Sequence, residues 1–186
     1  MKIFIQNMVS LRCKLLVKNE LEKLNIPYLF VELGEVQLTT PLSDNKRQEL
    51  RTELHKSGLE LLDDKNSILI EKIISLIIEL VHYAEDVPNV NFSTLLSEKL
   101  HKNYHYLASI FSKTKGITIE HFIILHKVER IKELIIYDQL SLTEISYKLH
   151  YSSVSHLCKQ FKKVTGLTPS QFKHQSSRKR TNLEDI

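Results

Sequence analysis

Met8, Ser10 and Cys13 stand in the stretch NMVSLRC (residues 7–13) at the spacing of a soft-metal loop, Met-x-Cys-x-x-Cys, whose two thiolates grip one ion. Serine occupies the place of the first thiol. One thiolate completes neither a two-coordinate Cu(I) site nor a four-coordinate zinc site within a chain, so no metal centre is expected and Cys13 is left as a thiol site. Arg12 and Lys14 flank it near an expected helix start, a setting in which thiols react more readily. His101 and His105 are four apart, but a predicted turn falls between them and they are not expected to share an ion. With only four glycines there is no phosphate-cradling loop, and no nucleophile motif or acid/base pair stands out, so neither enzyme activity nor a cofactor is expected.

A second set of side chains suits a different chemistry. Residues 1–64 carry nine basic and ten acidic side chains, whereas residues 90–175 carry twelve and six. Between Glu144 and Glu184 no acid interrupts eight Lys and Arg. Cationic charge gathered at one end predicts a polyanionic partner there. The 186 residues, 42% hydrophobic and 26% charged, otherwise suit a globular protein of one medium or two small domains. No run nears the roughly 18 apolar residues of a membrane span. Cys13 and Cys158 make no disulfide framework, so a cytoplasmic location is expected.

Two kinds of scaffold must hold these groups. KIFIQNM alternates as a half-buried strand does. LRCKLLVKNELEKLN sets Leu11, Leu15, Val17 or Lys18, Leu21 and Leu24 near helical spacing and ends at Asn25 and Pro27. YLFVELGEVQL predicts two strands about Gly34, a polar helix over 44–57 stops at Gly58, and LELL closes the set. This β-α-β-β-α-β order is that of ferredoxin-like domains. From residue 65 the period is helical. SILIEKIISLIIELVHYA presents Ile70, Ile73, Ile74, Ile77 and Leu80 as one stripe, and VPNVN (87–91) breaks it. Ser141 with Glu144, and Thr168 with Pro169 and Gln171, are helix-start boxes, while Gly116 and Gly166 fall where helices should end. Residues 176–186 lack apolar periodicity and read as a disordered tail.

The helical half also repeats itself. LLSEKLHKNYHYLASIFSKTKGIT (95–118) aligns with EISYKLHYSSVSHLCKQFKKVTGLT (144–168), sharing Leu100 and Leu149, Leu107 and Leu157, Phe111 and Phe161, Gly116 and Gly166, and Thr118 and Thr168. Two helices joined by a tight turn, the second polar and basic on its free face, make a helix-turn-helix unit. A long amphipathic helix over 118–137 is expected to join the two units, about 93–116 and 141–166.

RIKELIIYDQLSLTEISYKLHYSSVSHLCKQFKKVTGLTPSQFK (130–173) resembles the C-terminal signature of AraC/XylS-type transcription regulators: R-x-x-x-A-x-x-L, then I-A-x-x-x-G-F, then F-x-x-x-F-K-x-x-x-G-x-T-P-x-x-[FY]-[RK]. The likeness covers about 70–174. His150 and Tyr151 replace its Gly-Phe, Ser146 its Ala and Leu157 its Phe. It implies a bacterial, sequence-specific DNA-binding transcription regulator that inserts two recognition helices into successive major grooves. Residues 1–64 resemble a degenerate heavy-metal-associated domain, itself ferredoxin-like. The expected organisation is therefore an α+β domain over 1–64, an all-α DNA-binding domain over 65–175 and the tail.

Helix geometry and the resemblance point to the same contact faces. On the first recognition helix His105, Ala108 and Ser109 face the groove, with Ser112 and Lys113 towards phosphate. On the second, Val154, Ser155 and Lys159 face the groove, and Lys162 and Lys163 reach the backbone. Asn103 and Ser153 cap the helix starts, where free N–H groups favour phosphate. Lys159 is the expected guanine reader and Val154 the thymine-methyl contact. The first helix, without Arg, Gln or Asn on that face, is expected to position and to read shape. The expected partner is double-stranded DNA, with RNA polymerase and a second copy of the chain as further candidates, and no membrane. The competing reading is a metal- or redox-responsive sensor or adaptor acting through the N-terminal domain and Cys13.

Overall fold

The computed structural model describes residues 1–84, 91–137 and 140–174. It divides into two compact units, Met1–Leu76 and Ile77–Ile186.

In the first unit, alternation along β1 (Lys2–Gln6) buries Ile3 and Ile5 on one face of a sheet. α1 (Leu11–Lys23), β2 (Tyr28–Glu32), β3 (Glu35–Leu38), α2 (Asp44–Lys56) and β4 (Glu60–Leu62) follow, the element order read from the sequence. The four strands form one antiparallel sheet in the order β2-β3-β1-β4, with Ile3 opposite Val36 and Ile5 opposite Leu61. Gly34 turns β2 into β3 at φ +72°, a left-handed conformation natural to glycine, and packs close against Glu71 and Ser75.

The core of this unit seals Met8, Val17, Leu21, Val36, Leu38, Leu50 and Leu54 completely. One expectation for α1 needs correcting. Leu11 and Leu15 remain 57% and 61% exposed, and the inward face is Cys13, Val17, Leu21 and Leu24. The phase of the helix follows the sheet it covers: Val17 and Leu21 are sealed in the cluster that holds Ile3, Val31, Val36 and Leu38, while Ser10 caps the helix start and Lys14 pairs with Glu32 at the surface. The apolar run is wider than the stripe the sheet can cover.

α3 (Lys65–Ile78) buries Ile70, Ile73, Ile74 and Ile77 as expected, but the stripe does not continue to Leu80. The chain passes into a π-helical turn, Glu79–Tyr83, whose wider loop rotates the face so that Val81 and His82 become buried and Leu80 only partly so. Of the expected break at 87–91, only Asn91 lies within the described residues, and the expected tail lies outside them.

α4 (Phe92–Leu100) and α5 (Tyr104–Lys115) form the first helix-turn-helix, α7 (Leu142–Lys148) and α8 (Val154–Thr165) the second, with α6 (Ile119–Ile136) between them and α9 (Pro169–His174) last. Gly116 and Gly166 end α5 and α8 in left-handed conformations. Ser141 and Glu144 form the reciprocal box that starts α7, and Thr168 and Gln171 do the same for α9. α6 is not amphipathic as expected: ten of its 18 residues are buried, His126, Glu129 and Lys132 among them. It is gripped from several sides, with α5, α8, α9 and the π-helical turn all packing on it.

Candidate nucleic-acid interface

The geometry of each helix-turn-helix begins at its turn. His101 and His150 adopt φ of +50° and +52°, the left-handed conformation where the AraC-type pattern has glycine in the second unit. After His150 the Tyr151 N–H returns to the Ser146 carbonyl (2.9 Å), and the buried Tyr151 ring fills the core. Its hydroxyl donates to Gln160 Oε1 (2.6 Å) on α8, and burial pushes its pKa well above the ordinary tyrosine range. Lys127 of α6 donates to the Leu149 carbonyl in this turn (2.7 Å), its ammonium pushed down to about 8 by burial. Asn103 and Ser153 are the caps the sequence predicts: Asn103 accepts from the His105 N–H (2.8 Å) and Ser153 from the His156 N–H (3.1 Å).

Each second helix is locked in roll by two sealed side chains, Leu107 and Phe111 on α5, Leu157 and Phe161 on α8. The opposite faces are thereby fixed. Residues three or four apart then share the outward face. On α5 these are His105, Ser109, Ser112 and Lys113; on α8 they are Ser155, Lys159, Lys162 and Lys163. Members of the two sets stand fifty positions apart, so His105 corresponds to Ser155, Ser109 to Lys159, Ser112 to Lys162 and Lys113 to Lys163. The scaffold therefore presents the same face twice with different chemistry, three lysines on α8 against one on α5. None of these four lysines has an ion-pair partner among the described residues.

Three of the predicted residues have other engagements. The Ser112 hydroxyl donates back to the Ala108 carbonyl (2.7 Å) of its own helix. Ser153 is occupied by capping. Val154 is half-buried at the inner edge of α8. Two exposed residues were missed: Tyr106, 48% exposed, and His156, which also stand fifty apart on the two outward faces. The Ser152 hydroxyl lies 3.1 Å from His156 Nδ1. The internal repeat was the signal that would have found both.

α5 is seated by two further contacts. Tyr104 at its start donates its hydroxyl to Glu120 of α6. Beneath it runs a column of rings: Phe111 to Phe122 (centroids 5.4 Å), Phe122 to His126 (4.4 Å) and His126 to His82 (5.4 Å). His82 Nε2 and His126 Nδ1 lie 3.2 Å apart, one donating and one accepting. Burial, and secondarily the neighbouring His82, push His126 down to about 3.

The NMVSLRC loop assembles differently from a metal site. Met8 is sealed in the core and Ser10 caps α1, its hydroxyl accepting from the Cys13 N–H and lying 3.2 Å from Cys13 Sγ. Cys13 is partly buried against the first core. Among the described residues no group of three or more His, Cys, Asp or Glu is placed to hold a metal ion, and no helix is long and apolar enough to cross a membrane.

Residues 96–175 match the family model described as "Helix-turn-helix domain". The chain is 29% identical over 80 residues to the uncharacterized HTH-type transcriptional regulator YtdP of Bacillus subtilis (strain 168), covering 43% of this chain and 10% of that protein. It is 31% identical over 78 residues to the Msm operon regulatory protein of Streptococcus mutans serotype c, covering 42% and 28%. The chain thus matches only a tenth to somewhat over a quarter of the length of these curated relatives. Among solved structures it bears a loose likeness to a DNA-binding transcriptional dual regulator from Escherichia coli K-12, at 14% identity and a TM-score of 0.46, covering 56% of this chain and 88% of that one. The family match spans both helix-turn-helix units, so the C-terminal half carries a helix-turn-helix domain.

Proposed function

We propose that this protein, whose residues 96–175 match a helix-turn-helix domain, is a sequence-specific DNA-binding transcription regulator of the AraC/XylS type that lays α5 and α8 into successive major grooves. The observation that carries the reading is the duplicated outward face. Two second helices, each locked in roll by a buried Leu and Phe, expose equivalent positions whose lysines have no carboxylate paired to them among the described residues. Successive major grooves on one duplex face repeat at about 34 Å, a spacing suited to two units held on one helix.

In this reading α8 is the main reader. Lys159 contacts a guanine edge, Ser155 and Val154 contact neighbouring bases, and Lys162 and Lys163 meet phosphate. α5 contributes Lys113 to phosphate and His105, Ser109 and Ser112 to positioning, with Tyr106 as an added contact. The DNA-binding domain is taken as 65–175 and the N-terminal domain as 1–64. The strand order β2-β3-β1-β4 in a β-α-β-β-α-β chain supports a ferredoxin-like assignment for the latter.

Electrophoretic mobility shift across a salt series, on duplexes selected from a random library, tests the reading. Three lysines on phosphate predict a log–log slope of at least about −2.7. Lys159→Ala should cost about 1–3 kcal/mol at one base position while leaving the others unchanged. A shallow slope with equal binding to all sequences would refute sequence-specific recognition; an equal loss on every sequence would make Lys159 a phosphate contact.

A further inference from the structure

A reader with two recognition helices needs their separation held to within a base pair. One added base pair moves the far half of a site by about 3.4 Å and turns it by about 34°. Among the described residues α4 and α5 pack broadly on neither α7 nor α8; α5 and α8 each pack on α6. Whatever fixes the separation must therefore act through α6.

One polar side chain of α6 reaches both units. The Lys127 ammonium lies 5.5 Å from the ring centroid of Phe92, the first residue of α4, and 5.1 Å from that of Tyr151, in the turn between α7 and α8. It also donates to the Leu149 carbonyl in the same turn, at 2.7 Å. Cation–π attraction to one unit is thus joined to cation–π attraction and a charge-assisted hydrogen bond to the other. The contacts are directional, unlike the Ile and Leu packing elsewhere on α6. Buried apolar side chains hold each unit on its own, whereas the Lys127 ammonium is a contact the two units share.

We propose that Lys127 is a positioning residue that sets the spacing between the two DNA half-sites by tying Phe92 of the first helix-turn-helix and the Leu149–Tyr151 turn of the second to one ammonium. This rests on the DNA-binding reading above. Lys127 touches no DNA in it, so its removal should alter which spacing is preferred more than which bases are.

The test uses the full chain and a duplex selected by the wild-type protein, remade with one or two base pairs inserted or deleted between its halves. The wild type should lose at least tenfold in affinity for each one-base-pair change. Lys127→Met keeps the aliphatic stem and should flatten this to under threefold, with weaker binding at the original spacing. Lys127→Arg keeps a cation and a donor and should retain the wild-type profile. Phe92→Leu, at a partly exposed position, should relax the spacing while leaving the second unit intact, and it decides the question if Lys127→Met does not fold by circular dichroism. A wild-type spacing profile in Lys127→Met or Phe92→Leu, or a uniform loss across all spacings, overturns the assignment while leaving DNA binding standing. A wild-type protein that selects no sequence at all overturns the DNA-binding reading, and this assignment with it.

Discussion

Acid should weaken the second unit through His126, and the size of the effect follows from its surroundings. The ring is fully buried, its Nδ1 faces His82 Nε2 at 3.2 Å, and its Nε2 has no hydrogen-bond partner among the described residues. A second proton on this ring would find no acceptor, and burial holds its pKa at about 3 against 6.5 for an ordinary histidine. The sign is that of a depressed base. Below pH 6.5 the unfolded chain takes a proton that the folded chain refuses until about pH 3, so the stabilisation is complete above pH 6.5 and falls between those limits. Each pH unit costs about 1.4 kcal/mol, which makes about 2 kcal/mol at pH 5, a large share of a typical domain's stability. Urea unfolding followed by circular dichroism should show the wild type losing about 2 kcal/mol more than His126→Gln between pH 7.5 and pH 5. The His126 imidazole carbon-bound proton, followed by NMR, should not titrate across that range. A midpoint for that resonance near 6.5 would refute the account.

Two substitutions probe the backbone conformations that position the elements. Gly34→Ala forces a side chain at φ +72° into Ser75 Oγ and to within 3.2 Å of Glu71 Cγ, and should cost about 1–3 kcal/mol in urea unfolding; Gly34→Ala with Ser75→Ala should recover part of it, and failure to do so would place the cost in the turn alone. His150→Gly relieves a left-handed conformation at φ +52° on an exposed side chain and should gain about 0.5–1 kcal/mol, read as a higher urea midpoint; a loss would mean that the histidine itself contributes to the turn.

What could be read in the sequence was what is decided locally. Ser141 with Glu144, Thr168 with Gln171, and the left-handed Gly116 and Gly166 each depend on residues within one turn, and their types alone announce them. The repeat extended this to tertiary structure, because matching Leu and Phe positions in two copies already implied which faces are buried. The features that escaped depend on contacts from elsewhere. The phase of α1 is set by the apolar face of strands remote in sequence, so Leu11 and Leu15 looked as eligible for burial as Val17 and Leu21. The π-helical turn at Glu79–Tyr83 adds about one residue per turn without any Gly or Pro to mark it, and α6 owes the burial of ten of its residues to several neighbours. His126, Glu129 and Lys132 are among the residues those neighbours bury.

The same distinction sorts the candidate contact residues, because a polar group already engaged by the fold is a poorer partner for anything else. Ser10 could stand at a metal-loop position only while nothing else claimed it; in the fold it caps α1, and Met8 beside it is sealed in the core. Ser112 gives its only hydroxyl proton to the Ala108 carbonyl, so donating to a phosphate oxygen would require breaking a 2.7 Å bond that the helix supplies at no entropic cost. Ser153 can accept but is held by the His156 N–H. Ser155 is exposed, and among the described residues no carboxylate is paired to the ammonium groups of Lys159, Lys162 and Lys163. The same outward position on α5 and α8 thus differs in more than charge. Among the described residues the donors on α8 are uncommitted while one of the four on α5 is already engaged, which supports the proposed reading role of α8 on hydrogen-bonding grounds as well as electrostatic ones.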